Sequence, residues 1–170
     1  MKRTLQAINK LKEKGAIGDY AIGGAVASFF YLEATLTEDL DVFIRIDSKK
    51  DEIVILSKLF GSLAKEGYKE FKKEGIVIDT WPVQFLPATT ELEIEALKKA
   101  NKEIIEGEEV RVLSAEYLMA ICIQVGRAKD KIRLDQFLSE KCFDEKIFYD
   151  IINRYNLTEK YNRIRKAFEA

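Results

Sequence analysis

The sequence predicts an α+β protein: a mixed β-sheet flanked by helices, followed by a carboxy-terminal helical segment. Three observations carry this. Residues 40–46 alternate, with Leu40, Val42, Ile44 and Ile46 on one side and Asp41, Phe43 and Arg45, in line with Asp39, on the other. A glycine pair, Gly23 and Gly24, separates a short apolar strand pattern from a helix-compatible run. From residue 113 onward nearly every window has helical periodicity, so the chain divides into an α/β core over 1–112 and a helical segment over 113–170.

The elements follow in order. Leu5, Ile8 and Leu11 recur at helical spacing and predict a first helix ending near Gly15. DYAIG reads as a strand reaching the glycines, and residues 25–34 as the helix after them. Past the strand at 40–46, DEIVILSKLFGSLAKEG is helical and YKEF is a short strand. IVIDTWPVQFLP gives two strands around a turn at Asp79 and Thr80, with Pro82 fitting an edge, a bulge or a strand start. A helix over 90–101 and an extended EEVRVLS complete the α/β part. Ser114 is placed to cap the next helix, with Glu116 in its first turn. The remaining helices break near 125–126, 140–143 and 155–157.

Composition narrows the chemistry. The 170 residues suit about one ordinary domain, 47% are hydrophobic and 34% charged, and the net charge is −1. No bulk argument for a nucleic-acid track or an anionic membrane follows from that balance. No run approaches the ~20 apolar residues that span a bilayer, and the polar amino terminus lacks the apolar core of a secretory signal. The expectation is a cytoplasmic protein that does not engage a membrane. Cys122 and Cys142 are too few for a metal cluster. The chain contains no histidine, which excludes a histidine base and histidine-containing zinc sites. Metal chemistry would rest on oxygen ligands and favour Mg2+ or Mn2+.

Asp39 and Asp41 therefore draw notice. Side chains at i and i+2 of a strand share a face, with Cα atoms about 6.5 Å apart, and their carboxylates can converge on one cation. Two aspartates at a strand end are also compatible with simple solvation. Apolar neighbours, the adjacent Glu38 and the cost of juxtaposing like charges all favour a cation between them. Gly23 and Gly24 can bring bare backbone N–H groups to a phosphate, or form an ordinary tight turn. They lack the spaced glycines of the dinucleotide fingerprint and the lysine of the phosphate loop.

A glycine pair, a helix, then T-x-D-L-D-h on a strand resembles the nucleotidyltransferase fold of the DNA polymerase beta superfamily, through Gly23, Gly24, Thr37, Asp39, Leu40, Asp41 and Val42. The resemblance implies a nucleotidyltransferase-like sheet and transfer of a nucleotidyl group from a nucleoside triphosphate such as ATP to a hydroxyl. It implies Asp39 and Asp41 as catalytic metal ligands and Gly23, Gly24, Ser28 and Thr37 as triphosphate contacts. Residues 113–138 are similar to the R-x-K-D region of small prokaryotic nucleotidyltransferases, including the abortive-infection toxin group. That match implies Arg127 and Lys129 as further triphosphate contacts and brings in Asp130; a surface charge cluster reads the same way. Two departures stand out. Cys122 occupies a position where the pattern has lysine, and Gln84 aligns with the third carboxylate, for which Asp79 is the nearest acidic candidate. The acceptor is left open between a protein, an RNA end and a small molecule. The alternative is a noncatalytic nucleotide-binding or regulatory module with a protein partner or a second copy, as in a toxin–antitoxin-like pair.

Overall fold

A computed structural model of the protein describes residues 1–33, 37–45 and 52–168. The chain begins α1 (Lys2–Glu13), β1 (Tyr20–Ile22), α2 (Gly24–Ser28), β2 (Leu40–Arg45) and α3 (Glu52–Lys65). It continues β3 (Phe71–Lys72), β4 (Gly75–Ile78), β5 (Trp81–Ala88), α4 (Glu91–Lys99), β6 (Asn101–Ile105) and β7 (Glu108–Val112). Four helices close it: α5 (Ala115–Val125), α6 (Ala128–Glu140), α7 (Glu145–Arg154) and α8 (Thr158–Phe168). The predicted α+β architecture is present, a mixed sheet flanked by helices with a helical carboxy-terminal segment. No helix among the described residues is long and apolar enough to cross a membrane.

The seven strands form one sheet in the order β3-β4-β5-β2-β1-β7-β6. β2 pairs in parallel with β5 and antiparallel with β1, while β1 pairs in parallel with β7. The alternation of β2 explains its central place. Leu40, Val42 and Ile44 are fully buried, as are Leu5, Ile8 and Leu11 of α1 within about one per cent, so one face of β2 is committed to the core. The opposite face carries Asp41, Phe43 and Arg45. Burying a leucine or isoleucine contributes about 1.5–3 kcal/mol, so a one-residue slip that exchanged these faces would forfeit several such terms and bury two charges.

Pro82 resolves to a strand start. β5 is interior to the sheet, yet Pro82 pairs only with Val77 of β4, and pairing with β2 begins at Val83. The missing N–H therefore costs no bond to β2.

Four expectations change. The helix expected over 25–34 shortens to α2, because Phe29 N–H bonds to Val26 and Phe30 N–H to Ala27, i→i+3 bonds that tighten and end the turn; Ala34 lies outside the described residues, as does Ile46. Of YKEF only Phe71 lies in the strand, joined by Lys72, with the Glu70 carbonyl accepting from the Val77 N–H at 2.8 Å just before it. The helix over 90–101 stops at Lys99, and residues 101–105 form an additional strand, β6. Ser114 occupies the N-cap position of α5, but its hydroxyl donates to Glu116 at 2.7 Å instead of accepting a backbone N–H.

Candidate active site

The site is built outward from β2. Asp39 immediately precedes the strand and Asp41 is its second residue. The N–H of Gly23 donates to the carbonyl of Asp41 at 2.9 Å, which holds the glycine turn beside the acidic strand. A Cβ at Gly23 would meet the Phe43 ring, and one at Gly24 would overlap the Asp41 carboxylate. Gly24 also has φ +58°, the left-handed region in which a side chain is strained. The glycines thus make room for the polar face of β2. Because α2 has only five residues, its dipole is a small contribution to this end of the cleft.

The Asp41 carboxyl is half-buried and its proton affinity is raised, first by burial and then by the charge of Asp39. Lys129, Arg133 and Arg127 pull in the opposite direction. The coupling to Asp39 is what two carboxylates on one face produce. Thr37 secures the first of them: its hydroxyl lies 3.1 Å from the Asp39 carbonyl and 3.2 Å from Asp39 Oδ1. Glu38 turns away to Lys73 at 2.7 Å.

The facing wall comes from the junction of α5 and α6. Gly126, at φ +76°, ends α5 with its N–H bonded to the Cys122 carbonyl, and Arg127 is the N-cap of α6. Asp130 is only 3% exposed. Its carboxylate accepts from the Arg127 N–H at 3.1 Å, from Nε at 2.8 Å and from Nη2 at 3.3 Å. One acidic side chain therefore caps the helix and fixes the guanidinium.

Two adjoining cavities result. One of about 230 Å³ is lined by Gly24, Asp41 and Phe43 on the sheet side and by Cys122, Lys129 and Arg133 on the helical side. The other, of about 270 Å³, carries Asp39, Glu74 and Lys73. Gln84, Arg127 and Lys129 line both. Asp39, Asp41, Gly24, Arg127 and Lys129 are thus gathered around one cleft. Thr37 acts locally on Asp39, and Ser28 spends its hydroxyl on the Gly24 carbonyl at 2.9 Å. Asp79 is not gathered with them: it sits at φ +59° in the turn between β4 and β5, 3.8 Å from Arg3, and lines neither cavity. Gln84 stands directly opposite Asp41 in the β2–β5 register.

Cys122 lies in the cavity wall as an uncharged thiol, pushed by burial up to about 11. Arg133, which the sequence reading passed over, supplies positive charge from the same wall. Its signal was available in the i, i+4 spacing from Lys129, which places both side chains on one face of α6.

Among the described residues, no three or more Asp, Glu, Cys or His side chains gather as a metal cage. The donor set is instead two carboxylates and a facing amide beside a turn stripped of side chains. All these donors are oxygens, which fits a hard cation such as Mg2+ that takes further ligands from phosphate.

No protein-family model matches the sequence, and no curated protein matches it. Solved structures do. ANT(2")-Ia in complex with adenylyl-2"-tobramycin superposes with a TM-score of 0.52 at 15% identity, covering 92% of this chain and 98% of that one. An antigenic nucleotidyltransferase-like protein from Paracoccidioides brasiliensis gives 0.50 at 17% identity, covering 82% and 75%. The chain is similar in fold to these two proteins, at low sequence identity.

Proposed function

We infer that the cleft transfers a nucleotidyl group from a nucleoside triphosphate to a hydroxyl acceptor with the help of a divalent cation. The observation that carries this reading is Asp41. A half-buried carboxylate is pressed against a second one and against a glycine turn with no side chain, opposite three cationic residues of a helix. Such an arrangement is costly in the empty protein and is relieved by a cation carrying a polyphosphate.

Asp39 and Asp41 would hold Mg2+ or Mn2+, which when bound supplies Lewis-acid charge to the phosphates and lowers the pKa of a ligated hydroxyl. The chain's own residues do the rest. Lys129 and Arg133 offset phosphate charge from the α6 side, and Asp130 keeps Arg127 from swinging out of register. Gly24 leaves backbone accessible beside the phosphates, whereas Gly23 is buried and its N–H is spent on the Asp41 carbonyl. Leu86, Leu118 and Ile121 give the first cavity an apolar end suited to a nucleobase. In the reaction the acceptor oxygen bonds to the α-phosphorus and the bond from that phosphorus to the bridging oxygen breaks. Pyrophosphate leaves, and the hydroxyl proton passes to solvent.

The test uses triphosphates labelled on the α- or the γ-phosphate, offered with protein, RNA-end and small-molecule acceptors. Wild type is expected to transfer the α label and release the γ label as pyrophosphate, and Asp39→Asn and Asp41→Asn to lose transfer by more than about a hundredfold. If no acceptor is labelled and magnesium with triphosphate does not raise the melting temperature, the reading fails.

One observation favours a second reading, a nucleotide-binding or regulatory module as in a toxin–antitoxin-like pair. Gln84, an amide, faces Asp41 where a third carboxylate would be expected. That reading requires stabilisation by magnesium and triphosphate together, with no label transferred.

A further inference from the structure

The geometry points to Gln84 as the third oxygen donor of the Asp39–Asp41 cation site, with Glu74 as the positioning residue that turns its amide oxygen inward. This rests on the reading of the site as a cation–triphosphate centre.

The chain places the two residues by backbone means. Asp41 and Gln84 are register partners on adjacent parallel strands, so their side chains leave the sheet on the same face. Gln84 lines both cavities of the cleft. Glu74 reaches it from the tight β3–β4 turn, where Lys73 has φ +55°. The following residue, Gly75, packs so closely on β5 that a Cβ would come within 3.1 Å of the Val83 nitrogen. That close approach brings the turn to Gln84.

The bond itself sets the orientation. Gln84 Nε2 donates to Glu74 Oε2 at 2.8 Å. An ionised carboxylate only accepts hydrogen bonds, whereas an amide has one donating and one accepting end. Glu74 therefore fixes which end of Gln84 is nitrogen, and leaves Oε1 for the cleft. An amide oxygen is a competent ligand for a hard cation, and it adds no third negative charge beside two carboxylates that already repel. A partner that orients a ligand is typically worth about 10–100-fold in metal affinity.

The experiment is Mn2+ binding by electron paramagnetic resonance to the full chain, with inorganic triphosphate as the accompanying anion. Glu74→Ala is expected to weaken Mn2+ by about tenfold and Gln84→Ala by at least as much. The exchange Glu74→Gln with Gln84→Glu keeps the net charge, reverses the hydrogen bond and sets a carboxylate beside Asp41. It is expected to bind Mn2+ about tenfold more tightly than wild type, because ligand charge increases. Glu38→Gln serves as the charge control, since Glu38 lines the second cavity but is paired with Lys73. If Glu38→Gln weakens Mn2+ as much as Glu74→Ala, or if the exchange leaves affinity unchanged, Gln84 is not a ligand. If wild type retains no more Mn2+ than Asp41→Asn, the cation site and the role of Gln84 fall together.

Discussion

Gly24 turns at φ +58° against the carboxylate of Asp41, so that a methyl group at position 24 would stand where that carboxylate stands. The glycine is required twice, once by the backbone and once by the acid facing it. The two requirements can be separated.

Gly24→Ala is expected to cost about 1–2 kcal/mol from the left-handed backbone alone, with steric displacement of Asp41 adding to it. In a double-mutant cycle, Gly24→Ala combined with Asp41→Ala should lose less stability than the two single changes added together, because the overlap with the carboxylate is gone and what persists is the backbone strain and a tight 3.0 Å approach to the Cβ at position 41. Urea unfolding of the four proteins measures the coupling. Simple additivity would mean that Asp41 does not occupy the space above Gly24.

Asp41→Asn should separate stability from function. The Asp41 carboxyl has its pKa raised in the folded protein, chiefly by burial. A group raised on folding stabilises the protein while protonated, and that contribution is lost as pH climbs through the folded value. Ionised Asp41 is therefore a burden at neutral pH. Without metal or nucleotide, the asparagine variant should melt higher than wild type at pH 7, and the advantage should shrink toward pH 4. Magnesium with triphosphate should reverse the order at pH 7 by stabilising only the wild type. A variant that melts lower than wild type at every pH would show that Asp41 is held by partners that satisfy its charge.

How much of this was legible in the sequence depended on the range of the interaction. β2 could be read because its period of two coincides with one fully buried face, and Asp39 and Asp41 could be read because they lie two residues apart on it. β6 escaped notice because it is an edge strand: Ile104 is 72% exposed, and lysine and glutamate flank the isoleucine pair, so no alternation marks a core face. Its hairpin signal lay in the turn, where Glu106 and Gly107 both have positive φ, as a two-residue loop of the primed type requires. Asp79 is the acidic residue nearest to Gln84 in the sequence; the chain reverses at that turn, and Asp79 meets Arg3. Gln84 was reached through the family resemblance and Arg133 was within reach of its spacing from Lys129, but Glu74 joins the site only through its hydrogen bond to Gln84 across the β3–β4 turn, which no local pattern encodes.

The last prediction concerns how α7 is tied to α4. Glu95 of α4 accepts from Arg154 Nη1 at 2.8 Å and from the hydroxyl of Tyr155, and Arg154 also stacks 5.2 Å from the Tyr155 ring. The Arg154 guanidinium above all, with the tyrosine hydroxyls, holds the Glu95 carboxyl down to about 2 from an ordinary 4.5. A carboxyl depressed on folding contributes stability above its unfolded pKa, and that contribution fades as pH falls through the folded value. Arg154→Ala should therefore lower the melting temperature at pH 6, and the gap from wild type should narrow between pH 4.5 and pH 2. Solvent reaches the arginine, so the effect should be modest. Loss of stability with the same gap at every pH would mean that Arg154 acts through its packing on Tyr155, and that the charge on Glu95 contributes nothing to holding α7 against α4.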